Sequence, residues 1–168
     1  LAGMTGLVVT GELGYYDLRL PEVQERQVEL AQQHGISAFC FHYYWFSGKR
    51  LLDRPINQFV ENTNIDFPFC LCWANENWTR RWDGKESDVL IAQEHNADDD
   101  RRFIEDVMPF LRHPNYLRVG GKLLLIVYRV DQLPDPKKAA QTWRAHVREQ
   151  GLGELHLVSA QSFQNRDP

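Results

Sequence analysis

The chain has 168 residues, of which 43% are hydrophobic and 12% aromatic, and its formal net charge is −4. This length accommodates one domain with a sizeable core. The acidic balance lacks the basic footprint of a nucleic-acid-binding protein. No signal peptide or apolar run of about eighteen residues is present, so the sequence predicts no transmembrane helix.

The first predicted elements lie between residues 21 and 73. A helix is predicted to begin at Pro21 and to end at Gly35, because proline suits the first turn of a helix and glycine its end. An apolar, aromatic-rich strand follows over residues 36–43. A short helix over residues 54–62 then leads to a second apolar strand over residues 67–73.

The second half of the chain repeats this alternation. Residues 98–112 predict an amphipathic helix, and the acidic residues at its start suit the helix dipole. Two consecutive glycines then turn the chain into a strand over residues 122–128, whose apolar run is continuous. A helix from residue 136 to a glycine at position 151 and a strand over residues 155–160 complete the pattern.

Apolar strands that are each followed by a helix indicate a parallel sheet with right-handed crossovers. A doubly wound α/β sheet and part of a (β/α)8 barrel both fit. No glycine-rich phosphate-binding turn follows a strand, so a nicotinamide or flavin enzyme lacks its fingerprint. Polar and aromatic residues instead follow each strand, as at the active-site face of a barrel. We predict an incomplete (β/α)8, TIM-type barrel of about four or five parallel strands, one truncated domain over residues 1–168.

The three cysteines, Cys40, Cys70 and Cys72, lie in apolar, strand-like runs. We expect them to be reduced core residues of a cytoplasmic protein. Cys70 and Cys72 share one strand face, but two thiols without a second pair of ligands make a poor zinc site. The sequence therefore predicts neither a metal nor a cofactor.

The most informative stretch is FPFCLCWANENWTRRWDG, residues 67–84. Its apolar run breaks into two amides, a carboxylate and two guanidinium groups placed among three tryptophans. Aromatic rings offer flat apolar faces that match the C–H faces of a sugar, and the polar groups can bind its hydroxyls. The stretch predicts a site for a polyhydroxylated ligand. The alternative is an ordinary loop held by tryptophan packing and by Arg–Asp pairs at the surface.

Glu76 is the candidate catalytic residue, because the Asn75-Glu76 dipeptide after a predicted barrel strand resembles the position of the acid/base residue in other barrel glycosidases. It could instead bind sugar hydroxyls or pair with Arg80 or Arg81. Glycosidases usually need two carboxyl groups, and Asp83 is the nearby partner in sequence.

The candidate substrate-binding residues are polar and aromatic residues that follow the predicted strands. Arg80 and Arg81 could clamp the phosphate of a sugar donor, whereas Arg129 ends a buried strand and needs a partner, either Glu76 or the ligand. Trp73 is expected in the core. The full set is His42, Tyr44, Trp45, Asn75, Asn77, Trp78, Arg80, Arg81, Trp82, Asp83 and Arg129.

Four segments carry a resemblance to a known family. They are the stretch ELGYYDLRLPEVQERQVELAQQHGISAFCFHYYWFSGKRLLDRP, the tryptophan-rich stretch above, DVLIAQEH and GGKLLLIVYRVDQLPDPKK. Together they resemble the WbsX-type glycosyltransferase family, also described as glycoside hydrolase family 99-like, from about Glu12 to Val158. The resemblance implies a (β/α)8 barrel associated with bacterial cell-surface polysaccharide and O-antigen loci. Hydrolase relatives, which include endo-acting α-mannosidases, carry their carboxylate pair in an Asn-Glu-Trp-x-Glu motif that is absent from this sequence.

We therefore predict a carbohydrate-active enzyme that acts on glycosidic linkages in polysaccharide or O-antigen lipopolysaccharide biosynthesis. Its partner would be an oligosaccharide or a sugar donor, and its location the cytoplasm or the periphery of the inner membrane. Transfer and hydrolysis both stay open, since a phosphate held by arginine would favour transfer and a second close carboxylate would favour hydrolysis. The alternative is a non-catalytic carbohydrate-binding or vestigial barrel fragment.

Overall fold

Helices and strands alternate through most of the chain in the computed structural model, which describes residues 16–17, 19–80, 85–93 and 97–161. The helices are α1 (Pro21–Gln33), α2 (Arg54–Glu61), α3 (Ala97–Leu111) and α4 (Pro136–Glu149). The strands are β1 (Phe39–Phe46), β2 (Lys49–Leu51), β3 (Phe69–Trp73), β4 (Trp78–Arg80), β5 (Lys85–Ile91), β6 (Arg118–Val119), β7 (Lys122–Val127) and β8 (Leu155–Ser159). A short 3-10 helix, Val130–Gln132, follows β7.

The main sheet contains four parallel strands, β1, β3, β7 and β8, which lie side by side in chain order. Each is joined to the next through one helix, α2, α3 or α4 in turn. This connection is the usual one for parallel strands, which need a long crossover. The predicted α/β class with parallel strands is confirmed.

Four further strands of the structure were not predicted. Strand β2 turns back on β1 through Ser47 and Gly48, which both have positive φ angles of 45° and 93° and so form a tight hairpin turn. Strand β6 pairs with β7 through the two predicted turn glycines. Strands β4 and β5 form a separate antiparallel pair where the sequence predicted a loop.

Helices α2, α3 and α4 contact the same face of the sheet, which we call the helix-covered face. Phe59 of α2 packs 5.0 Å from Phe41 and 5.7 Å from Phe69, measured between ring centroids. Phe103 of α3 stacks on Trp73, with ring centroids 4.2 Å apart. Trp143 of α4 lies 5.3 Å from Phe103. The predicted position of Trp73 in the core is confirmed.

The amphipathic pattern predicted for residues 98–112 is also confirmed. The buried residues of α3 recur at helical spacing and form one stripe against the sheet: Phe103, Ile104, Val107, Met108, Phe110 and Leu111. Helix α4 begins at Pro136, and the side chain of Asp135 caps it by accepting a 2.9 Å hydrogen bond from the backbone N–H of Lys138.

The cysteines divide between two environments. Cys70 and Cys72 are buried, but Cys40 is exposed, which corrects the prediction that all three lie in the core. The reason is positional, because among the described strands β1 pairs with β3 alone at Cys40 and has an open edge there, whereas Cys70 and Cys72 belong to β3, which lies between β1 and β7. All three thiols are free.

No helix in the described part of the chain combines the length and the apolar character that crossing a membrane requires.

The contact between Phe103 and Trp73 should contribute strongly to stability. Phe103 is fully buried, so Phe103→Ala should lower the free energy of unfolding by about 3–5 kcal/mol through lost apolar burial and a residual cavity. Leu90→Ala is a control at an exposed apolar position and should change it by less than about 1 kcal/mol. Urea denaturation monitored by circular dichroism measures both, and equal effects would contradict this account of the core.

Candidate functional site

Asn75 joins the carboxyl ends of β3 and β7. Its side-chain amide donates a 2.7 Å hydrogen bond to the backbone carbonyl of Arg129 and accepts a 2.8 Å bond from the backbone N–H of the same residue. The residue is completely buried. Asn75 was predicted to bind substrate. The structure corrects this, because its amide is enclosed and bonded to the main chain.

Arg129 lies between two carboxylates at this edge of the sheet. Its Nη1 donates to Oε1 of Glu76 at 2.6 Å. Its Nε and Nη2 donate to the two carboxylate oxygens of Asp131 at 2.9 and 2.7 Å. Side-chain exposure is 14% for Arg129, 28% for Glu76 and 38% for Asp131, so the group is partly shielded from water. The predicted partnership between Arg129 and Glu76 is confirmed.

Asp131 was missed in the sequence, although it lies two residues after Arg129 in the motif YRVD. The short 3-10 helix Val130–Gln132 bends the chain after β7, so that the Asp131 carboxylate returns to the guanidinium of Arg129. An acidic residue two positions after an arginine that ends an apolar strand is the pattern that could have indicated it.

The charges in this group stabilise one another. The hydrogen bonds that Arg129 donates, first to Asp131 and then to Glu76, raise the pKa of its guanidinium above the usual range. In return, the hydrogen bonds and charge of Arg129 lower the pKa of the Asp131 carboxyl group. Each charged form is favoured because its partner carries the opposite charge.

Four aromatic rings, two of which belong to residues close to Arg129 and Glu76 in the chain, form a continuous line, here called the aromatic row: Tyr128, His42, Tyr44 and Trp78. Tyr44 packs edge-on against Trp78, with ring centroids 5.3 Å apart. His42 lies 6.0 Å from Tyr44 and 6.2 Å from Tyr128. His42 is exposed and the other three rings are half-buried. The row brings together three predicted binding residues, and it adds Tyr128.

Trp45 lies in the core rather than at the site, which corrects its prediction as a substrate-binding residue. The side chain is 1% exposed, and its ring packs against Trp73 and Phe103. Alternate residues of a strand point to opposite faces, so Tyr44 joins the aromatic row while Tyr43 and Trp45 point towards the helices. Tyr43 accordingly donates a 2.5 Å hydrogen bond to Asp106 of α3.

The remaining predicted residues follow β3. Asn77 is exposed, and its side-chain oxygen accepts a 2.6 Å hydrogen bond from the backbone N–H of Gln93, just after β5. Arg80 ends β4. The side chain of Arg80 and the whole of Arg81, Trp82 and Asp83 lie outside the described residues. The phosphate clamp and the carboxylate partner predicted there therefore stay predictions.

In the part of the chain that the structure describes, no group of three or more histidine, cysteine or acidic residues has a geometry that could hold a metal ion. The ion pairs of Glu76 and Asp131 are made with Arg129 instead.

Residues 8–168 match the model of the family described as Glycosyltransferase WbsX. The chain belongs to this family. Two curated relatives of this WbsX-family chain are described as uncharacterized protein WxcX, from Xanthomonas campestris pv. campestris strain B100 and from a second strain. Each is 54% identical over 157 residues, which cover 94% of this chain and 23% of the relative. The WbsX-family chain thus spans less than a quarter of their length.

A solved structure also resembles the fold of this WbsX-family chain. It is titled glycoside hydrolase-like protein and matches with a TM-score of 0.60 and 16% sequence identity. The match covers 89% of this chain and 46% of that protein. At this identity the similarity concerns the fold, and a shared fold does not establish a shared reaction.

The hydrogen bonds of Asn75 should stabilise the junction between β3 and β7. Asn75→Ala leaves two backbone groups of Arg129 without these partners and should lower the free energy of unfolding by about 2–4 kcal/mol. Asn64→Ala removes an exposed asparagine and should change it by less than about 1 kcal/mol. Urea denaturation distinguishes the two, and a value for Asn75→Ala as small as that of the control would refute a structural role.

Proposed function

We propose that this chain carries part of the sugar-binding site of a carbohydrate-active enzyme. The enzyme would act on glycosidic linkages during bacterial cell-surface polysaccharide or O-antigen lipopolysaccharide assembly, on the cytoplasmic side of the inner membrane. The observation that carries the proposal is the aromatic row together with the contact between Glu76 and Arg129, at the carboxyl ends of neighbouring parallel strands. Membership of the WbsX family supports a carbohydrate-active role.

The chemistry of this surface suits a sugar. Half-buried Tyr44 and Trp78 have apolar ring faces that can stack on sugar C–H groups, and the hydroxyl of Tyr128 supplies a polar handle. Carboxylates accept hydrogen bonds and a guanidinium donates them. Glu76 and Asp131 can therefore accept hydrogen bonds from sugar hydroxyls, and Arg129 can donate hydrogen bonds to them. Aromatic and hydrogen-bonding groups on one edge are what recognition of a polyhydroxylated ring requires.

We also propose that the sheet forms part of a (β/α)8 barrel. Its four parallel strands run in chain order, and α2, α3 and α4 pack on one face only, as in a barrel rather than a doubly wound sheet. The resemblance of the fold to a glycoside hydrolase-like protein supports this architecture. In a barrel, the carboxyl ends of the strands form the active-site face.

Glu76 has two candidate roles within this proposal. As a general acid/base it would exchange a proton with the glycosidic oxygen or with an acceptor hydroxyl. As a binding residue it would accept a hydrogen bond from a sugar hydroxyl. The contact with Arg129 favours the second role, because it engages Oε1 of Glu76 in a hydrogen bond within the protein. A non-catalytic sugar-binding segment is therefore the second candidate function.

The aromatic row should contribute directly to sugar binding. In the intact protein, Trp78→Ala should weaken binding of mannose- or rhamnose-containing oligosaccharides by about 1 kcal/mol, the scale of an aromatic contact. Tyr44→Ala should have a similar effect. Tyr16→Ala is the control, because Tyr16 is an exposed aromatic residue outside the row. Tryptophan fluorescence or calorimetric titration measures the affinities, and unchanged binding in both row variants would remove the row from the site.

Glu76 should matter more to function than to folding. Glu76→Gln removes the charge but keeps the shape, and Arg129 keeps its two hydrogen bonds to Asp131, so the melting temperature should change little. Sugar binding, and activity where it can be assayed, should fall. Thermal melting and titration of the same preparation test this. Wild-type binding would reduce Glu76 to a surface residue, whereas a failure to fold would mark it as a structural partner of Arg129.

A further inference from the structure

Arg129 contacts its two carboxylates in different ways. The edge of the guanidinium formed by Nε and Nη2 makes a paired contact with both oxygens of Asp131. Glu76 receives a single hydrogen bond, from Nη1 to Oε1. Among the described residues, none donates a hydrogen bond to the other oxygen, Oε2 of Glu76.

We propose that Asp131 is a positioning residue of the sugar site, which acts by occupying the paired-donor edge of Arg129 and so keeps one oxygen of Glu76 open for a ligand hydroxyl. This inference rests on the proposed sugar-binding function. Its physical basis is the preference of a guanidinium for a carboxylate in the paired, two-bond geometry. While Asp131 holds that edge, only the outer N–H groups of Nη1 and Nη2 face Glu76, and Glu76 contacts Nη1 alone.

The surroundings allow Asp131 to hold this position. It belongs to the short 3-10 helix after β7, and the backbone of Arg129 is fixed in turn by the amide of the buried Asn75. Both ends of the Arg129–Asp131 contact are therefore attached to ordered main chain. The Arg129 side chain as a whole is 14% exposed, so its contacts with the carboxylates are partly shielded from solvent screening.

Replacement of Asp131 by asparagine should redirect the guanidinium. Asparagine has about the same shape but only one acceptor oxygen and no charge, so the paired-donor edge of Arg129 becomes available. Glu76 is then the remaining carboxylate within reach, and both of its oxygens should become engaged. We expect Asp131→Asn to weaken oligosaccharide binding by about tenfold or more, in line with losing one hydrogen bond to a charged group.

The binding test uses the intact protein and the mannose- and rhamnose-containing oligosaccharides named above. Glu154→Gln is the matched control: Glu154 also pairs with an arginine through both oxygens, but it precedes β8 at the opposite end of the strands. The Glu154→Gln variant should bind the oligosaccharides as tightly as the wild type does. A loss of binding in Asp131→Asn no greater than in this control would overturn the inference.

A double-mutant cycle separates positioning from a merely structural role. If Asp131 acts through Glu76, then Asp131→Asn should have little further effect on binding in a Glu76→Gln background, because contacting residues in one network are not additive. Additive losses of binding in the double variant would contradict the proposal that Asp131 acts through Glu76. If Trp78→Ala weakens binding while Asp131→Asn does not, the inference fails and the sugar site stands.

A crystal structure of Asp131→Asn gives a test that needs no ligand. The expected result is Arg129 bonded to both oxygens of Glu76. An Arg129 that keeps its single contact with Oε1 would overturn the inference, even if the oligosaccharides bind. If the wild type binds none of these sugars, the sugar-binding proposal fails, while the variant structure still decides whether Asp131 controls the contact between Arg129 and Glu76.

Discussion

The packing of one phenylalanine against the sheet supports most of the described structure. Phe103 of α3 stacks on Trp73, contacts Trp45 and meets Trp143 of α4. It thereby joins two strands and two helices through large apolar rings, whose burial dominates core energetics. Successive side chains of a strand point to opposite faces of the sheet, so the residues that enter this core determine which residues lie on the opposite face. With Trp45 directed into this cluster, Tyr44 must point away from it.

The site depends on a second constraint, which is that buried polar groups need partners. Asn75 follows a strand that is buried along its whole length, so its amide must be satisfied within the protein. It is satisfied by the main chain of Arg129, and this fixes the position from which the guanidinium reaches Glu76 and Asp131. The hydrogen bonds of Asn75 therefore hold in place the main chain that carries the guanidinium of the charged group.

The charged group also bears on the kind of ligand. Arg129 is matched by two carboxylates, so the group as a whole carries excess negative charge. Such a group is better suited to hydroxyls than to a phosphate, which would need an unpaired cation. A phosphate-binding role would therefore have to come from Arg80 and Arg81 rather than from Arg129. Membership of the WbsX family is compatible with the proposed carbohydrate-active role.

The sequence by itself determined the order of the main elements, the helix-facing stripe of α3 and the core position of Trp73, because these follow from local periodicity, turn residues and composition. Only the tertiary structure decided which polar side chains are accessible to a ligand. Asn75 and Glu76 are neighbours in the same motif, yet one is enclosed and the other partly open. Likewise, Asp131 enters the site only because β7 lies beside β3. Contacts across neighbouring strands join residues more than fifty positions apart, and no local pattern in the chain specifies which of these side chains will meet.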